Sequence, residues 1–214
     1  MKLELDQSDF WNKVAKKNVF HHEIDWKIFE NLCPSKNIKI LDYGCGYGRL
    51  CNVLSLHGFQ NVIGVDNSNK MIERAKNDFP NLSFKVNSLD NLPFDDDSLD
   101  VVLLFTVLTC IPFDTDQDKL LNEIHRVLKK DGILYISDLF LNEDQRNIDR
   151  YKKYLNKYGT YGIFELEEEA VLRHHSKPRI KEISAKFHRT FFKEYDVITM
   201  NGNKANAFQL FLKK

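Results

Sequence analysis

The residues best suited to chemistry lie in IKILDYGCGYGRL, residues 38–50. An apolar run leads into Asp42, then Gly44, Gly46 and Gly48, and a helical pattern follows. Glycines let the backbone turn tightly and let a ligand approach the main chain with no Cβ in the way. The start of the next helix offers free N–H groups to a carboxylate or phosphate. Spacing narrows the choice. A dinucleotide turn wants G-x-G-x-x-G, and here the third-glycine position is Arg49. A P-loop needs GK[ST], which is absent. Asp42 would repel a pyrophosphate but suits a ligand carrying an ammonium group. A second apolar run, VIGVDNS at 62–68, ends in Asp66, 18 residues past Gly48. An acid there can accept both hydroxyls of a ribose. Together the two features predict a nucleoside across the carboxyl ends of two adjacent strands. The plainer alternatives are a glycine turn with no ligand and an Asp66 that only caps the following helix.

These residues need a scaffold that brings two strand ends together. Short apolar runs at 38–41, 62–65, 82–86, 99–105 and 133–137 alternate with helical patterns near 47–57, 68–78 and 116–129. That alternation predicts βαβ units, a largely parallel sheet and one α/β domain. Asp131-Gly132 reads as a helix-to-strand turn. Two helices are predicted before the core, at 8–18 and 23–32, with Pro34 ending the second. After it comes an insertion: a Lys- and Tyr-rich helix at 142–157, then a hairpin in YGTYGIFELEEEAVLRHHS. A helix near 178–186 and two strands, 187–198 and 205–212, close the chain, with Asn201-Gly202-Asn203 as their turn.

D-x-G-x-G-x-G, the acidic end of the second strand, NLPFDDDSLDVVLLF and LNEIHRVLKKDGILYISD resemble the class I S-adenosylmethionine (SAM)-dependent methyltransferases. The similarity is to their small-molecule branch and is close over residues 37–140; FELEEEAVLRHHS and ITMNGNKANAFQL are similar to a bacterial-type subgroup. The resemblance implies a Rossmann-like, doubly wound seven-stranded sheet of order 3-2-1-4-5-7-6 with strand 7 antiparallel. It divides the single domain into a helical cap (1–36), a SAM-binding core (37–140), an inserted lid (141–176) and a C-terminal helix and hairpin (177–214). It implies that Gly44, Gly46 and Gly48 pass beneath the methionine part of SAM, with Asp42 near its ammonium. Asp66 would hold the ribose, and Asn67 and Met71 would flank the adenine. The family's Gly-Asp-Ala after strand 3 is Asn87-Ser88-Leu89 here, so Ser88 offers a hydroxyl or backbone contact and Leu89 packs on the ring. Phe105 and Thr106 would face the sulfonium, and Arg49 is a weaker candidate.

Methyl transfer from a sulfonium is an in-line displacement, for which the protein supplies proximity and alignment. A base is needed only when the acceptor must lose a proton. His174 and His175 are the leading candidates for it. On a strand they point to opposite faces, so at most one enters the site. Tyr158 and Tyr161 are candidate wall residues of the acceptor pocket, and Tyr161 joins the histidines as a catalytic candidate. His21 and His22 lie in the segment that covers the cofactor in this family. Thr109 and Cys110 would shape the pocket.

The acceptor is expected to be a small molecule methylated on oxygen or nitrogen. Lys plus Arg and Asp plus Glu are both 31, which excludes a uniformly basic nucleic-acid binder. No N-P-P-Y motif follows strand 4, so a nucleic-acid substrate is disfavoured. The zero sum hides an asymmetry: residues 1–124 carry net −6 and residues 125–214 net +6. Lys177–Lys193 holds six basic residues against Glu182 alone. This suggests a phosphate- or carboxylate-bearing acceptor; a solvated helix face is the alternative. Cys33, Cys45, Cys51 and Cys110 have no metal-ligand spacing and read as reduced thiols. With no secretory h-region and no run of about 18 apolar residues, the chain reads as cytoplasmic and not membrane-bound. It is expected to be a monomer or homodimer. A nicotinamide-dependent oxidoreductase and a non-catalytic SAM-binding regulator are the competing readings.

Overall fold

A computed structural model describes residues 7–15, 22–87, 91–167, 170–199 and 202–214. Its core is a seven-stranded sheet built from β1 (Lys39–Tyr43), β2 (Asn61–Asp66), β3 (Ser83–Val86), β4 (Leu99–Phe105), β5 (Leu128–Leu139), β8 (His188–Ile198) and β9 (Lys204–Lys213). The order is β3-β2-β1-β4-β5-β9-β8. The first five strands run parallel, and β9 is antiparallel to both β5 and β8. With the separate hairpin β6 (Ile163–Glu165) and β7 (Val171–Arg173) set aside, this is the order the motifs imply.

The central strands are apolar on both faces because helices cover both. Ile40, Val101, Leu103, Tyr135 and Phe211 pack with residues of α2 (Trp26–Leu32), α3 (Arg49–Leu56) and α4 (Asn69–Asp78). Their alternates Leu41, Val102, Leu104, Leu134 and Leu210 pack with α5 (Asp114–Val127) and α7 (Lys177–Ile183). Side-chain period two along each strand produces this sorting. Helix starts are marked by local chemistry: Asp25, Ser68, Asp144 and Ser176 each accept from a backbone N–H three residues on.

Two local expectations change. Asp131-Gly132 is not a turn between helix and strand, since α5 ends at Val127 and β5 begins at Leu128. The pair sits inside β5 as an irregularity, with Asp131 at φ +66° and the β4 register shifting between Leu99 and Val101. The opening helix α1 is Ser8–Val14; residues 16–18 of the expected helix lie outside the described residues. The insertion contains α6 (Gln145–Tyr158) and the β6–β7 hairpin, joined by a small core of Tyr151, Phe164 and Leu172 with Trp11 of α1 against it. No helix among the described residues is long and apolar enough to cross a membrane.

Candidate functional site

The carboxyl ends of β1, β2 and β4 meet at one edge of the sheet, and a cavity opens there. Asp42 near the end of β1 and Asp66 at the end of β2 both line it. Asp42 is buried, and its Oδ2 accepts from the Cys51 thiol at 3.3 Å. Burial pushes its carboxyl up to about 6, against the Cys51 bond and the Arg49 charge, while Asp66 raises it further. Asp66 accepts from Gly46 N–H and Ser68 N–H, both at 2.9 Å. Its carboxyl is also raised by burial, with those backbone bonds opposing.

The glycines divide into two roles. Gly44 and Gly46 line the cavity, as does Cys45 between them. Gly48 does not line it. It caps α3 at φ +82°, and a Cβ there would sit 2.6 Å from Phe84 Cζ, so its role is to seat the helix on the sheet. Asn67, Met71, Phe105, Thr106 and Arg49 line the cavity, and Asn87 joins them. Ser88 and Leu89 lie outside the described residues, as does His21. Thr106 takes φ +57°, uncommon for threonine, and is held by its N–H to Ser137 O at 2.8 Å.

A second cavity abuts the first. Trp11, His22, Thr106 and Cys110 line both. His22 is buried, with Nδ1 at 2.9 Å from Ser137 Oγ and 3.2 Å from Tyr195 OH. Arg49 donates to the His22 carbonyl and so ties this segment to the glycine loop. Gln7 fixes the other flank by bonding Cys110 O and both backbone groups of Val171.

His174 and Thr109 line the second cavity; His175, Tyr158 and Tyr161 line neither. His174 Nδ1 lies 2.6 Å from Tyr151 OH, and burial with the Arg150 and Arg146 charges pushes it down to about 3. Nδ1 is engaged by the Tyr151 hydroxyl, with Asn142 Nδ2 also 3.3 Å away. A ring pushed down to about 3 is a weak proton acceptor near neutral pH. His175 is wholly buried, its nearest acid Asp138 at 3.9 Å, and burial holds it neutral. Tyr161 is 40% exposed and packs edge-on against Tyr151. Tyr158 donates to Glu165 at 2.6 Å. As expected, only one of the two histidines lines a cavity, but both lie beyond β7, which ends at Arg173, and neither is positioned as a proton acceptor.

Sequence reasoning passed over Gln7, Trp11, Arg146 and Arg150. The arginines had a signal, an i,i+4 pair on one face of a predicted helix. Gln7 and Trp11 had none, because only tertiary packing brings them to strand ends far along the chain.

A methyltransferase-domain family model matches residues 34–194. The chain is 32% identical over 139 residues to the ubiquinone/menaquinone biosynthesis C-methyltransferase UbiE of Campylobacter jejuni, covering 62% of this chain and 54% of that protein. It is 36% identical over 131 residues to a ubiquinone biosynthesis O-methyltransferase of Pelagibacter ubique, covering 59% and 51%. The chain spans about half the length of these curated relatives. A solved SAM-dependent methyltransferase from Methanosarcina mazei superposes with a TM-score of 0.82 at 24% identity, covering 87% of this chain and 96% of that one. With residues 34–194 matched by that family model, the chain belongs to the methyltransferase-domain family, the class I SAM-dependent methyltransferases.

Proposed function

We propose that this protein transfers a methyl group from SAM to an oxygen or nitrogen of a small molecule seated in the second cavity. The observation that carries the reading is the wall of Trp11, His22, Thr106 and Cys110 common to the two cavities. A donor in one and an acceptor in the other would meet across it. The first cavity suits the cofactor chemically. Its two carboxylates match an ammonium and a ribose diol, and Met71 with Asn67 offers a partly apolar bed for a base. Phe105 and Thr106 would flank the sulfonium, and the backbone at Gly44 and Gly46 would underlie the methionine part. When bound, SAM supplies an electrophilic methyl and a neutral thioether leaving group.

The chain's own contribution is positioning, exclusion of water and removal of a proton. Alignment of donor and acceptor can be worth about 7–11 kcal/mol of barrier. His22 is the imidazole at the junction, its Nδ1 held by the Ser137 and Tyr195 hydroxyls; it serves as proton acceptor in the tautomer that donates from Nδ1 and leaves Nε2 deprotonated. It takes over the role expected of His174 or His175. The name of the Pelagibacter relative supports oxygen as the acceptor atom. The test is S-adenosylhomocysteine release with SAM and a small-metabolite pool, followed by His22→Gln. Turnover should fall about 10²- to 10⁴-fold, far more than SAM affinity does. NADH binding without SAM binding in calorimetry would overturn the reading, and equal turnover in the variant would remove His22 from it.

A further inference from the structure

The two cavities have opposite charge. The first is lined by two acids, Asp42 and Asp66, against one base, Arg49. The second is lined by Arg146 and Arg150 and, among the described residues, by no acid. Its remaining wall is largely apolar, from Trp11, Leu139, Phe164, Leu166, Leu172 and Ile198.

Arg150 is held for contact. Its guanidinium lies 3.5 Å over the ring of Phe164, and the ring of Tyr151 is 5.7 Å away. Stacking fixes the plane and leaves the edges of the fork for an anion. Its Nε is buried and has no hydrogen-bond partner among the described residues. The buried arginines, by contrast, are paired with acids: Arg173 meets Asp114 at 2.6 Å, and Arg179 meets Asp118 at 2.8 Å and Asp114 at 3.1 Å. Half-buried Arg150 has the two rings and the Tyr151 hydroxyl but, among the described residues, no acid within 4.0 Å, so a bound anion would offset its desolvation cost. Arg146, one turn earlier on α6, has only a 3.7 Å contact with Asp144. The neutral imidazole of His174 lines the same cavity.

The basic segment 177–193 does not supply this charge. Lys177 pairs with Glu194 and Lys193 with Asp25, each at 2.6 Å, and none of its residues lines either cavity. Positive charge facing the acceptor comes from α6 instead.

We infer that the second cavity binds an anionic acceptor, with an apolar, aromatic-sized body against Phe164 and Trp11 and a carboxylate or phosphate held by Arg150 and Arg146. The inference rests on the proposed methyltransferase reading, which makes this the acceptor side. The two carboxylates of the first cavity would disfavour the same anion despite Arg49, so charge helps to sort donor from acceptor.

The test is equilibrium binding to the SAM-loaded protein, read by tryptophan fluorescence, since Trp11 lines the cavity. The probes are 4-hydroxybenzoate, phenyl phosphate and neutral 4-hydroxybenzamide. At least one anion should bind about tenfold or more tightly than the amide, as a charge-assisted hydrogen bond requires. Which one does so distinguishes carboxylate from phosphate. Arg150→Gln should abolish the preference and Arg150→Lys should keep part of it, with SAM affinity by calorimetry unchanged in both. That unchanged affinity shows that the variants fold. Equal binding of amide and anions, or a preference that survives Arg150→Gln, overturns the inference and leaves the methyltransferase reading standing. Failure of the native protein to bind SAM overturns that underlying reading instead.

Discussion

SAM affinity should fall as the pH drops below about 6, with Asp42 as the cause. Its carboxyl is buried at the floor of the donor cavity and pushed up to about 6. The amino group of SAM, with an ordinary pKa of about 8, stays cationic at and below pH 7. Binding therefore follows ionisation of the carboxyl. With a pKa of about 6, roughly nine-tenths is ionised at pH 7 and one-tenth at pH 5, so affinity weakens about tenfold across that window. Calorimetric titration in one mixed buffer at constant ionic strength measures it. Asp42→Asn should flatten the profile and weaken binding at pH 7 by about tenfold to a hundredfold, the worth of a charged hydrogen bond. Asp66 is the other acid in the cavity. Because its charge raises Asp42, Asp66→Asn should keep the pH dependence and move it slightly downward. Stability moves the opposite way. A carboxyl raised in the folded state favours folding below its unfolded value near 3.8, and that contribution is lost as the pH rises through about 6. At neutral pH the buried carboxylate thus costs the SAM-free protein on the order of 3 kcal/mol. Asp42→Asn should accordingly raise its thermal midpoint. A variant with the native pH profile and native affinity would refute the reasoning.

Asp66→Ala should weaken SAM binding strongly; unchanged affinity would remove Asp66 from the ribose. Gly48→Ala should destabilise the fold by roughly 1–3 kcal/mol in denaturant melts, from positive φ plus the Phe84 overlap. Gly58→Ala, with positive φ but open space around it, should cost only about 1 kcal/mol. Arg179→Glu should destabilise by about 3 kcal/mol or more, because it puts an acid among Asp114, Asp118 and Glu182. Lys181→Glu, on the exposed surface, should change stability by no more than about 0.5 kcal/mol, and neither change should alter acceptor preference.

Much of the donor cavity was legible in the sequence because its parts are local. Asp42 and the glycines belong to one strand–turn–helix, and Asp66 ends the next strand in the same βαβ unit. Hydrophobic runs set the strands, and parallel crossovers then bring their carboxyl ends side by side. That at most one of His174 and His175 would line a cavity was also expected, although both fall past the end of β7 rather than on it. Which of the two faces a cavity was decided by packing, since α6 brings Tyr151 and Arg150 to one side of the hairpin. The charge asymmetry had the same limit. A sequence counts the cations of 177–193 but not the acids Glu194, Asp114, Asp118 and Asp25 that pair with Lys177, Arg179 and Lys193. The acceptor cavity draws on α1, His22, the end of β4, α6, the hairpin and the β8–β9 end, segments separated by up to almost the whole chain. Their meeting depends on long-range packing, which no local pattern encodes. The sequence therefore determined the fold and the cofactor, while tertiary structure decided which segments line the second cavity, what charge it presents and which histidine lies between the two cavities.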